Sequence, residues 1–585
     1  MIQRTRLVVV LVLLTALLAT SASAQYFGRN KVTWEQFDFE VVHTEHFDIY
    51  HYPESGTSVH DFARMAERWY LRHSAVLDHE FTERKPIVLY ADDTDFQQTN
   101  VIAGSIGQGT GGVTESFKNR IVMPLTASYA ETDHVLGHEL VHVFQYDMIE
   151  RATGRLQGLR NIPLWFVEGM SEYLSVGAVD AHTALWLRDA VLRDELPDLR
   201  DLARDPRYFP YRFGHAVWSY VVSQGGDDAV RAFFVSSLRD GVEAGIETVL
   251  GVDPETFVEN WHRSLRETYG AVGERRSLEP ENAREVVARI ADEQEINVGP
   301  EPSPDGRTVA FFSERDLFSI ELFLADAETG EVLRSLTEVT SNPHLRALRF
   351  IDSAGAWAPD GDRFAFVVYH EGRNELSIVD ADSGDERRRL RIDGADAISG
   401  PEWSPGGNRI VVSGLSGGAS DLYVIEVETG AVTRLTDDRY ATLQPAWSPD
   451  GDRIAFVTDR GGETDLEHLV FGETGVGVLR VDDPSWVEVH RPLGPDADHT
   501  DPAWTGDGRL LVRGIRNGFQ DLYHVDLETG VVERKTHLAS GVHAISPMSP
   551  SMGFAPGSGT IFFDVFEAGG YSIWAQPLEV EAPAE

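Results

Sequence analysis

The chain has 585 residues, 42% of them hydrophobic, which is too long for a single core and predicts two to four domains. It contains no cysteine, which excludes disulfides, thiol nucleophiles and cysteine-ligated zinc, so any zinc site must use histidine and carboxylates. The net charge of −43 disfavours nucleic acid as a partner through simple repulsion. We interpret the acidic residues, which are spread along the chain, as a solvated surface; attraction of cations or basic substrates is the alternative.

The first residues carry the pattern of an export signal. Two arginines precede an apolar run over residues 7–19, and Ala22-Ser23-Ala24 follows it. A charged start, an apolar stretch and a small-residue cleavage site are typical of a secretory signal peptide, so we expect residues 1–24 to be removed. The run is short for a membrane span, and an uncleaved anchor is the alternative. The sequence therefore predicts an exported protein, periplasmic or secreted, with no stable membrane span after cleavage.

Residues 25–276 are predicted to form a mixed α/β domain. Alternating or apolar runs indicate strands at 45–52, 86–90 and 120–124. Helical spacing of apolar residues predicts helices over 59–78, 130–148, 164–176, 211–223, 227–239 and 254–269. The following segment, 277–296, is highly charged and loses helical periodicity, so we assign it to a linker.

The most informative stretch is His138-Glu139-Leu140-Val141-His142, within one of these helices. Residues four apart on a helix lie about 6 Å apart along the axis and on one face, so both imidazoles can reach one metal ion. Glu139 can then reach a water molecule bound to that ion. This H-E-x-x-H arrangement is typical of zinc peptidases. A helix that carries these residues by chance is the alternative.

A second informative stretch begins shortly after. Glu168 lies 26 residues beyond His142, and Glu172 lies one helical turn further, on the same face. Catalytic zinc takes three protein ligands and leaves one position open, so a carboxylate from a second helix can supply the third ligand. Glu172 is placed to accept the outer N–H of a ligand histidine; we expect this to be His138, whose tautomer the contact would fix. A solvated helix face is the alternative for this pair.

The rest of the chain is repetitive. A turn signature such as Trp447-Ser448-Pro449-Asp450-Gly451 occurs in six related forms, each followed by a short apolar strand. A period of roughly 40–55 residues with several strands per repeat is typical of propeller blades. One blade cannot bury both of its faces alone, so the blades must stack around an axis. The six signatures predict an all-β, six-bladed propeller over residues 297–580.

These features resemble two known families. The Trp-Ser-Pro-Asp-Gly repeats resemble the TolB-type β-propeller repeats of bacterial envelope proteins. H-E-x-x-H followed by W-x-x-E-G-x-x-E-Y resembles the gluzincin metallopeptidases, in particular the peptidase MA-like domains found fused to TolB-type propellers. The resemblance implies a zincin-like α+β metallopeptidase domain. It also implies that His138, His142 and Glu168 bind one zinc ion per chain and that Glu139 is the general base.

The same resemblance suggests further site residues. A tyrosine before a glycine would stabilise the oxyanion; Tyr211 fits best, Tyr208 and His215 compete, and ordinary packing is the alternative. Upstream, Gly112 and Glu115 resemble the glycine-rich edge strand that aligns substrate in gluzincins. In the aminopeptidase branch a glutamate there captures the substrate's amine. A plain loop-to-strand transition is the alternative for this segment.

We therefore predict an exported zinc metallopeptidase that hydrolyses peptide bonds in a peptide or protein substrate. The propeller would gate access to the site or dock a protein partner on its face. The alternative is an envelope protein-interaction module whose propeller binds a protein or peptide and whose peptidase-like domain is weakly active or structural. A third possibility keeps the metal but cleaves another amide or an ester.

Overall fold

The computed structural model describes residues 31–102, 106–107, 109–153, 162–289, 296–315, 320–337, 347–348, 351 and 353–582. The predicted signal peptide, residues 1–24, lies outside them. The described residues form an α+β domain followed by an all-β propeller with six blades, which confirms the predicted fold class. Within this part of the chain, every helix is too short or too polar to span a bilayer.

A five-stranded sheet forms one layer of the first domain. Its strands are, in spatial order, Glu40–His43, Phe47–His51, Lys85–Tyr90, Arg120–Pro124 and Val113–Glu115. The three central strands are parallel, and the two outer strands are antiparallel to their neighbours. Ile87 and Met123 in the central strands are fully buried, as expected for a parallel sheet covered by helices. Val113–Glu115 is the edge strand on the side of the candidate site.

Ten α-helices of the described residues pack against this sheet and against one another. They span Ser58–Leu77, Asp93–Phe96, Tyr129–Thr153, Leu164–Val176, Ala181–Leu192, Asp201–Arg204, Pro210–Gly225, Ala229–Asp240, Val242–Leu250 and Pro254–Tyr269. We call Tyr129–Thr153 the motif helix, Leu164–Val176 the glutamate helix and Pro210–Gly225 the tyrosine helix. All six predicted helices are present within a few residues of their predicted bounds.

The glutamate helix and the tyrosine helix cross with their backbones in contact. A Cβ atom built on Gly169 would lie 2.3 Å from the carbonyl carbon of Gly214, and one built on Gly214 would lie 2.1 Å from the carbonyl oxygen of Trp165. Only glycine permits this approach. Because Glu168 adjoins Gly169 and Tyr211 lies one turn before Gly214, the crossing brings these two side chains to the same site.

Six blades follow. Their strands are Asn297–Pro302, Thr308–Ser313, Glu321–Asp326 and Val332–Ser335; Ala347–Leu348, Ala356–Trp357, Arg363–His370, Arg373–Asp380 and Glu386–Leu390; Ala397–Trp403, Arg409–Ser416, Ala419–Glu426 and Val432–Arg434; Leu443–Trp447, Arg453–Thr458, Gly475–Arg480 and Asp483–His490; Asp498–Trp504, Leu510–Arg516, Phe519–Val525 and Val532–Arg534; and Met552–Ala555, Thr560–Glu567, Gly570–Pro577 and Arg284–Val287. The predicted number of blades is therefore confirmed.

The last blade is completed by a strand from the other end of the propeller. Arg284–Val287 pairs antiparallel with Gly570–Pro577. This strand lies within residues 277–296, which the charge pattern assigns to a linker. Val286 and Val287 are buried in the last blade, so part of that segment belongs to the propeller. The pairing closes the ring without a covalent bond and protects an edge of the last blade.

The repeated turns stabilise each blade and its contact with the preceding blade. In the fourth blade the backbone N–H of Arg453 donates to Ser448 Oγ at 2.9 Å, which closes the turn. Gly451 has a φ of 76°, in the left-handed region that favours glycine. The guanidinium of Arg409, in the preceding blade, lies 4.8 Å over the ring of Trp447. The turn residues therefore recur because each blade needs the same turn and the same contact.

Candidate active site

The motif helix and the glutamate helix bring three potential metal ligands together. Nε2 of His138 and Nε2 of His142 each lie 3.2 Å from Glu168 Oε2. Both histidines are less than a tenth exposed, and their ring centroids are 5.1 Å apart. Among the described residues, these three form the one group of His, Cys, Asp or Glu whose ligand atoms all lie within 4.8 Å of one another.

Each histidine is oriented from its outer side. His138 Nδ1 lies 3.0 Å from Glu172 Oε1, and His142 Nδ1 lies 3.0 Å from Gln145 Oε1. Gln145 donates its Nε2 to the carbonyl oxygen of Val167 at 3.1 Å, which turns its own oxygen toward the ring. Both Nδ1 atoms therefore have an acceptor for their hydrogen, and both Nε2 atoms face Glu168.

This donor set fits a divalent cation. Two Nε2 lone pairs and a carboxylate oxygen repel one another unless positive charge lies between them, and two histidines with one carboxylate are a known zinc set. The pKa values of His138 and Glu168 also indicate that positive charge is favoured between these groups. Burial alone would lower the pKa of His138, but Glu168 and Glu172 outweigh it and raise that pKa to about 10. Burial opposes ionisation of Glu168, yet His142 and His138 hold its pKa well below the usual range.

Arg212 holds the carboxylate behind the first histidine. Its NH1 lies 2.9 Å from Glu172 Oε2, while Glu172 Oε1 faces His138. Burial would raise the pKa of Glu172, but the hydrogen bond to His138 and the charge of Arg212 lower it to about 2. Glu172 is therefore ionised and links His138 to a fixed positive charge. The spacing of the sequence motifs does not point to Arg212, although Arg212 directly follows Tyr211 in the sequence.

Glu139 faces the edge strand of the sheet. Thr114 Oγ1 donates to Glu139 Oε2 at 2.7 Å and also contacts its backbone oxygen at 3.0 Å. Gly112 lies so close that a Cβ atom there would be 2.8 Å from Glu139 Cγ and 3.2 Å from Oε1. Thr114 therefore fixes one carboxylate oxygen, and the missing side chain of Gly112 leaves room for the other. The structure places Gly112, expected to contact substrate, against the proposed base.

Glu115 is engaged in the turn after the edge strand. Its carboxylate accepts the backbone N–H of Phe117 at 2.6 Å and that of Lys118 at 3.2 Å, and it lies 3.3 Å from Arg120 Nε. These contacts stabilise the turn between the edge strand and Arg120–Pro124. Capture of a substrate amine by Glu115 stays a prediction.

Tyr211, the residue that the resemblance to gluzincins suggests, lies beside His138. Its ring stacks on that of His138, with centroids 5.9 Å apart and planes 17° from parallel. Burial, followed by the negative charges of Glu168 and Glu139, raises the pKa of the Tyr211 phenol well above its ordinary value. The phenol therefore keeps its hydrogen and can act as a donor.

The two competing residues are engaged elsewhere. Tyr208 packs edge-to-face on Phe213, with ring centroids 5.3 Å apart. His215 Nδ1 lies 2.9 Å from Thr183 Oγ1, and its Nε2 lies 2.7 Å from the carbonyl oxygen of Gly177. Their contacts are those of packing residues, so Tyr211 is the candidate that the geometry favours.

Comparison with known proteins divides the chain in the same way. Residues 77–267 match the Peptidase MA superfamily, and residues 345–483 match the TolB beta propeller domain. The chain joins a Peptidase MA-like domain to a TolB-like propeller. Both resemblances seen in the sequence are confirmed, and His138, Glu139, His142 and Glu168 all lie within the first matched region.

Individual relatives of this Peptidase MA-like and TolB-like chain are distant. An uncharacterized protein from Agrobacterium fabrum is 24% identical over 200 residues, covering 28% of this chain and 67% of the relative. The uncharacterized peptidase YuxL from Bacillus subtilis is 28% identical over 143 residues, covering 24% of this chain and 18% of the relative. The crystal structure of TolB from Acinetobacter baumannii is 17% identical, covering 56% of this chain and 71% of that chain with a TM-score of 0.34.

The Peptidase MA-like domain also brings a second phenol to the site. The ring of Tyr146 stacks near that of His142, with centroids 6.4 Å apart and planes 22° from parallel. Burial, and then the charges of Glu168 and Glu139, raise the pKa of Tyr146 to about 12. Sequence reasoning missed this residue. The signal was its position four residues after His142, on the same face of the motif helix.

Proposed function

We propose that this chain is an exported zinc-dependent metallopeptidase that hydrolyses peptide bonds, with its catalytic residues in a domain that we assign to residues 25–276. The convergence of two histidine Nε2 atoms on Glu168, with Glu139 beside them, carries the proposal. The match to the Peptidase MA superfamily supports peptidase chemistry. The arginines, apolar run and small residues at the start of the chain support export to the periplasm or beyond it.

The proposed ligands are His138, His142 and Glu168, for one zinc ion per chain. Zinc held there would supply a Lewis acid that lowers the pKa of a water molecule toward about 7 and polarises the scissile carbonyl. Glu172 keeps the His138 ring in its ligating orientation by accepting its Nδ1 hydrogen. The ion pair with Arg212 keeps Glu172 charged and in place.

Glu139 is the proposed general base. Its Oε2 is held by the Thr114 hydroxyl, so Oε1, on the Gly112 side, takes the proton of the attacking water and passes it to the leaving amine. The phenol of Tyr211 stays protonated, and its O–H donates a hydrogen bond to the carbonyl oxygen as negative charge develops there. The edge strand beside Gly112 offers main-chain groups with which an extended peptide can pair.

Metal content and a base variant test this proposal together. We expect the purified chain to bind about one zinc ion, and Glu139→Gln to keep that zinc while peptide cleavage falls by at least about 10²-fold. Glu150→Gln makes the same chemical change at an exposed position of the motif helix and serves as the matched control. Glu115→Gln is a separate test, and it should slow cleavage only if Glu115 captures the substrate's amine.

Two results would contradict the proposal: a wild-type chain without metal, or Glu139→Gln cleaving as fast as the wild type. Bound zinc without cleavage of any member of a broad peptide library would instead favour the interaction module.

A further inference from the structure

One face of the propeller is docked against the Peptidase MA-like domain. The hairpins between the second and third strands of the blades lie on this face. Hydrogen bonds join blades two to six to the domain: Gln98 to the oxygen of Gly372, Ser420 to the oxygen of Ala127, Arg68 to the oxygen of Leu469, Arg188 to the oxygen of Gly518, and the backbone of Ala568 to Asp189. The propeller axis therefore points at the domain.

A cavity of about 200 Å³ lies between this face and the domain. On the domain side it is lined by residues 109–111 and 124–127, and on the propeller side by Ile398, Leu415, Leu443 and Gln444. The residue after this lining segment is Gly112, against which Glu139 packs. The cavity lining therefore extends to the residue before Gly112.

A second cavity, of about 460 Å³, occupies the propeller axis at the opposite face. Its walls are the repeated turns, including Pro304, Pro359, Pro405, Pro449, Trp357, Trp403, Trp447 and Trp504. Gln444 lines both cavities. The two cavities meet at this residue and together follow the axis from the turn face to the catalytic domain.

Gln444 and Asp501 form the constriction between the two cavities. Gln444 Nε2 donates to Asp501 Oδ1 at 2.6 Å, and the backbone N–H of Asp501 donates to Gln444 Oε1 at 2.9 Å. Their φ angles are 49° and 50°, in the left-handed region. The equivalent residues of the first and third blades, each also before a proline, are Gly299 and Gly400. The fourth and fifth blades thus carry long polar side chains at the position where the first and third blades carry glycine.

One position beside the axis distinguishes two of the blades. It precedes the tryptophan of each turn, or the residue that replaces it, and is occupied by Glu301, Ala356, Glu402, Ala446, Ala503 and Gly553. Four blades carry alanine or glycine, so the blade itself does not require glutamate. Glu301 and Glu402 line the axial cavity, and no lysine or arginine is among the described residues that line it. Burial, and then the closeness of Glu402, raises the pKa of Glu301 well above its usual range.

We propose that peptide substrates reach the catalytic site along this axial path, and that Glu301 and Glu402 make it select extended basic or neutral peptides over acidic ones. That the path leads to a catalytic site rests on the proposed peptidase function. The existence of the path and its preference for charge do not depend on that function. The innermost strand Ala397–Trp403 has seven residues, about 23 Å in length, so an extended peptide of similar length fills the path. A cationic side chain beside Glu301 and Glu402 would restore their ionised form.

The charge preference can be measured without catalysis. Because the chain has no cysteine, Ala503→Cys places one thiol in the axial cavity, and Thr429→Cys places one on an exposed turn as the control. Each variant is labelled with a cationic and with an anionic methanethiosulfonate at pH 9, because burial raises the pKa of Glu402 to about 8 and this carboxylate must be ionised to attract a cation. We expect the cationic-to-anionic rate ratio to be about tenfold higher at position 503 than at position 429. Equal ratios at the two positions would overturn the selective role of the path.

A matched pair of charge variants identifies the residues responsible. Glu301→Ala with Glu402→Ala introduces the residue that three other blades carry at this position and should abolish the tenfold difference. Glu328→Ala with Glu528→Ala removes the same charge from two exposed turns of other blades and should leave the difference intact. If both pairs of substitutions change the difference in labelling ratio between positions 503 and 429 equally, the overall charge of the chain is responsible. The assignment to Glu301 and Glu402 would then be wrong.

The path itself is tested by blocking it. Labelled Ala503→Cys should lose most of its hydrolysis of a basic peptide of about ten residues and recover it on reduction, whereas labelled Thr429→Cys should be unaffected. Unchanged hydrolysis after complete labelling at position 503 would overturn the path. In the Glu139→Gln background, the same peptide should slow labelling at position 503. Slower labelling with no cleavage by the wild type would support the path and refute the peptidase; cleavage without slower labelling would refute the path.

Discussion

Gly112→Ala tests the packing between the edge strand and the proposed base. The added Cβ atom would lie 2.8 Å from Glu139 Cγ and 3.2 Å from Oε1. Carbon atoms in contact lie about 3.5–4.0 Å apart, so Glu139 or the strand must move by about 1 Å. A displacement of about 1 Å at a reacting group costs about 10²-fold in rate. We therefore expect kcat/KM for peptide hydrolysis to fall about 10²-fold, equivalent to about 2.7 kcal/mol of transition-state stabilisation.

The assay combines peptide hydrolysis with metal analysis. Zinc content should stay near that of the wild type, because the three proposed ligands lie on the motif and glutamate helices and not on the edge strand. Gly270→Ala is the matched control, since its φ is −59° and a Cβ atom there meets nothing within 4 Å. The placement of Glu139 as base would be refuted if the Gly112→Ala variant keeps its zinc and its kcat/KM stays within about threefold of the wild-type value.

Two further predictions concern the support of the site and the response of the fold to acid. Glu172→Gln weakens the acceptor of His138 Nδ1, so zinc affinity should fall about 10–100-fold in competition with a chromophoric chelator; unchanged affinity would exclude this supporting role. His73 is fully buried, and burial lowers its pKa to about 4. Its neutral form favours the folded state, so stability present above about pH 6.5 is lost as the pH falls toward 4, by about 3 kcal/mol at most. His73→Gln should flatten this fall in urea unfolding, and identical slopes in both proteins would contradict the assignment.

The metal ligands could be predicted because their geometry is local. Four-residue spacing on a helix fixes the directions of His138 and His142, and the same spacing fixes Glu168 and Glu172 on the next helix. The groups that orient them could not be predicted in this way. Thr114, Gln145 and Arg212 are common polar residues whose partners depend on how two helices and the edge strand cross. That crossing is set by the Gly169–Gly214 contact, which has no periodic signal in the sequence.

The propeller shows the same division between local and distant determinants. The blades could be predicted because every turn repeats the same residues for the same local reason. The closing strand Arg284–Val287 could not, because four residues with two valines inside a charged segment are too short to show alternation. Its partner Gly570–Pro577 lies at the far end of the propeller, and only closure of the ring brings them together.

The interface between the two domains bears on how a substrate could enter. Leu466 and Leu469 of the fourth blade are buried in the core of the Peptidase MA-like domain, and Phe566 of the last blade is buried against Trp186, with ring centroids 4.4 Å apart. Exposing a buried side chain of this size costs about 1.5–3 kcal/mol, so separating the domains at these three residues costs about 5–9 kcal/mol. Each 1.4 kcal/mol is tenfold in population, so the separated state would be populated at about 10⁻³ or less. Access by hinge opening would therefore limit turnover, whereas passage along the axis exposes none of these side chains.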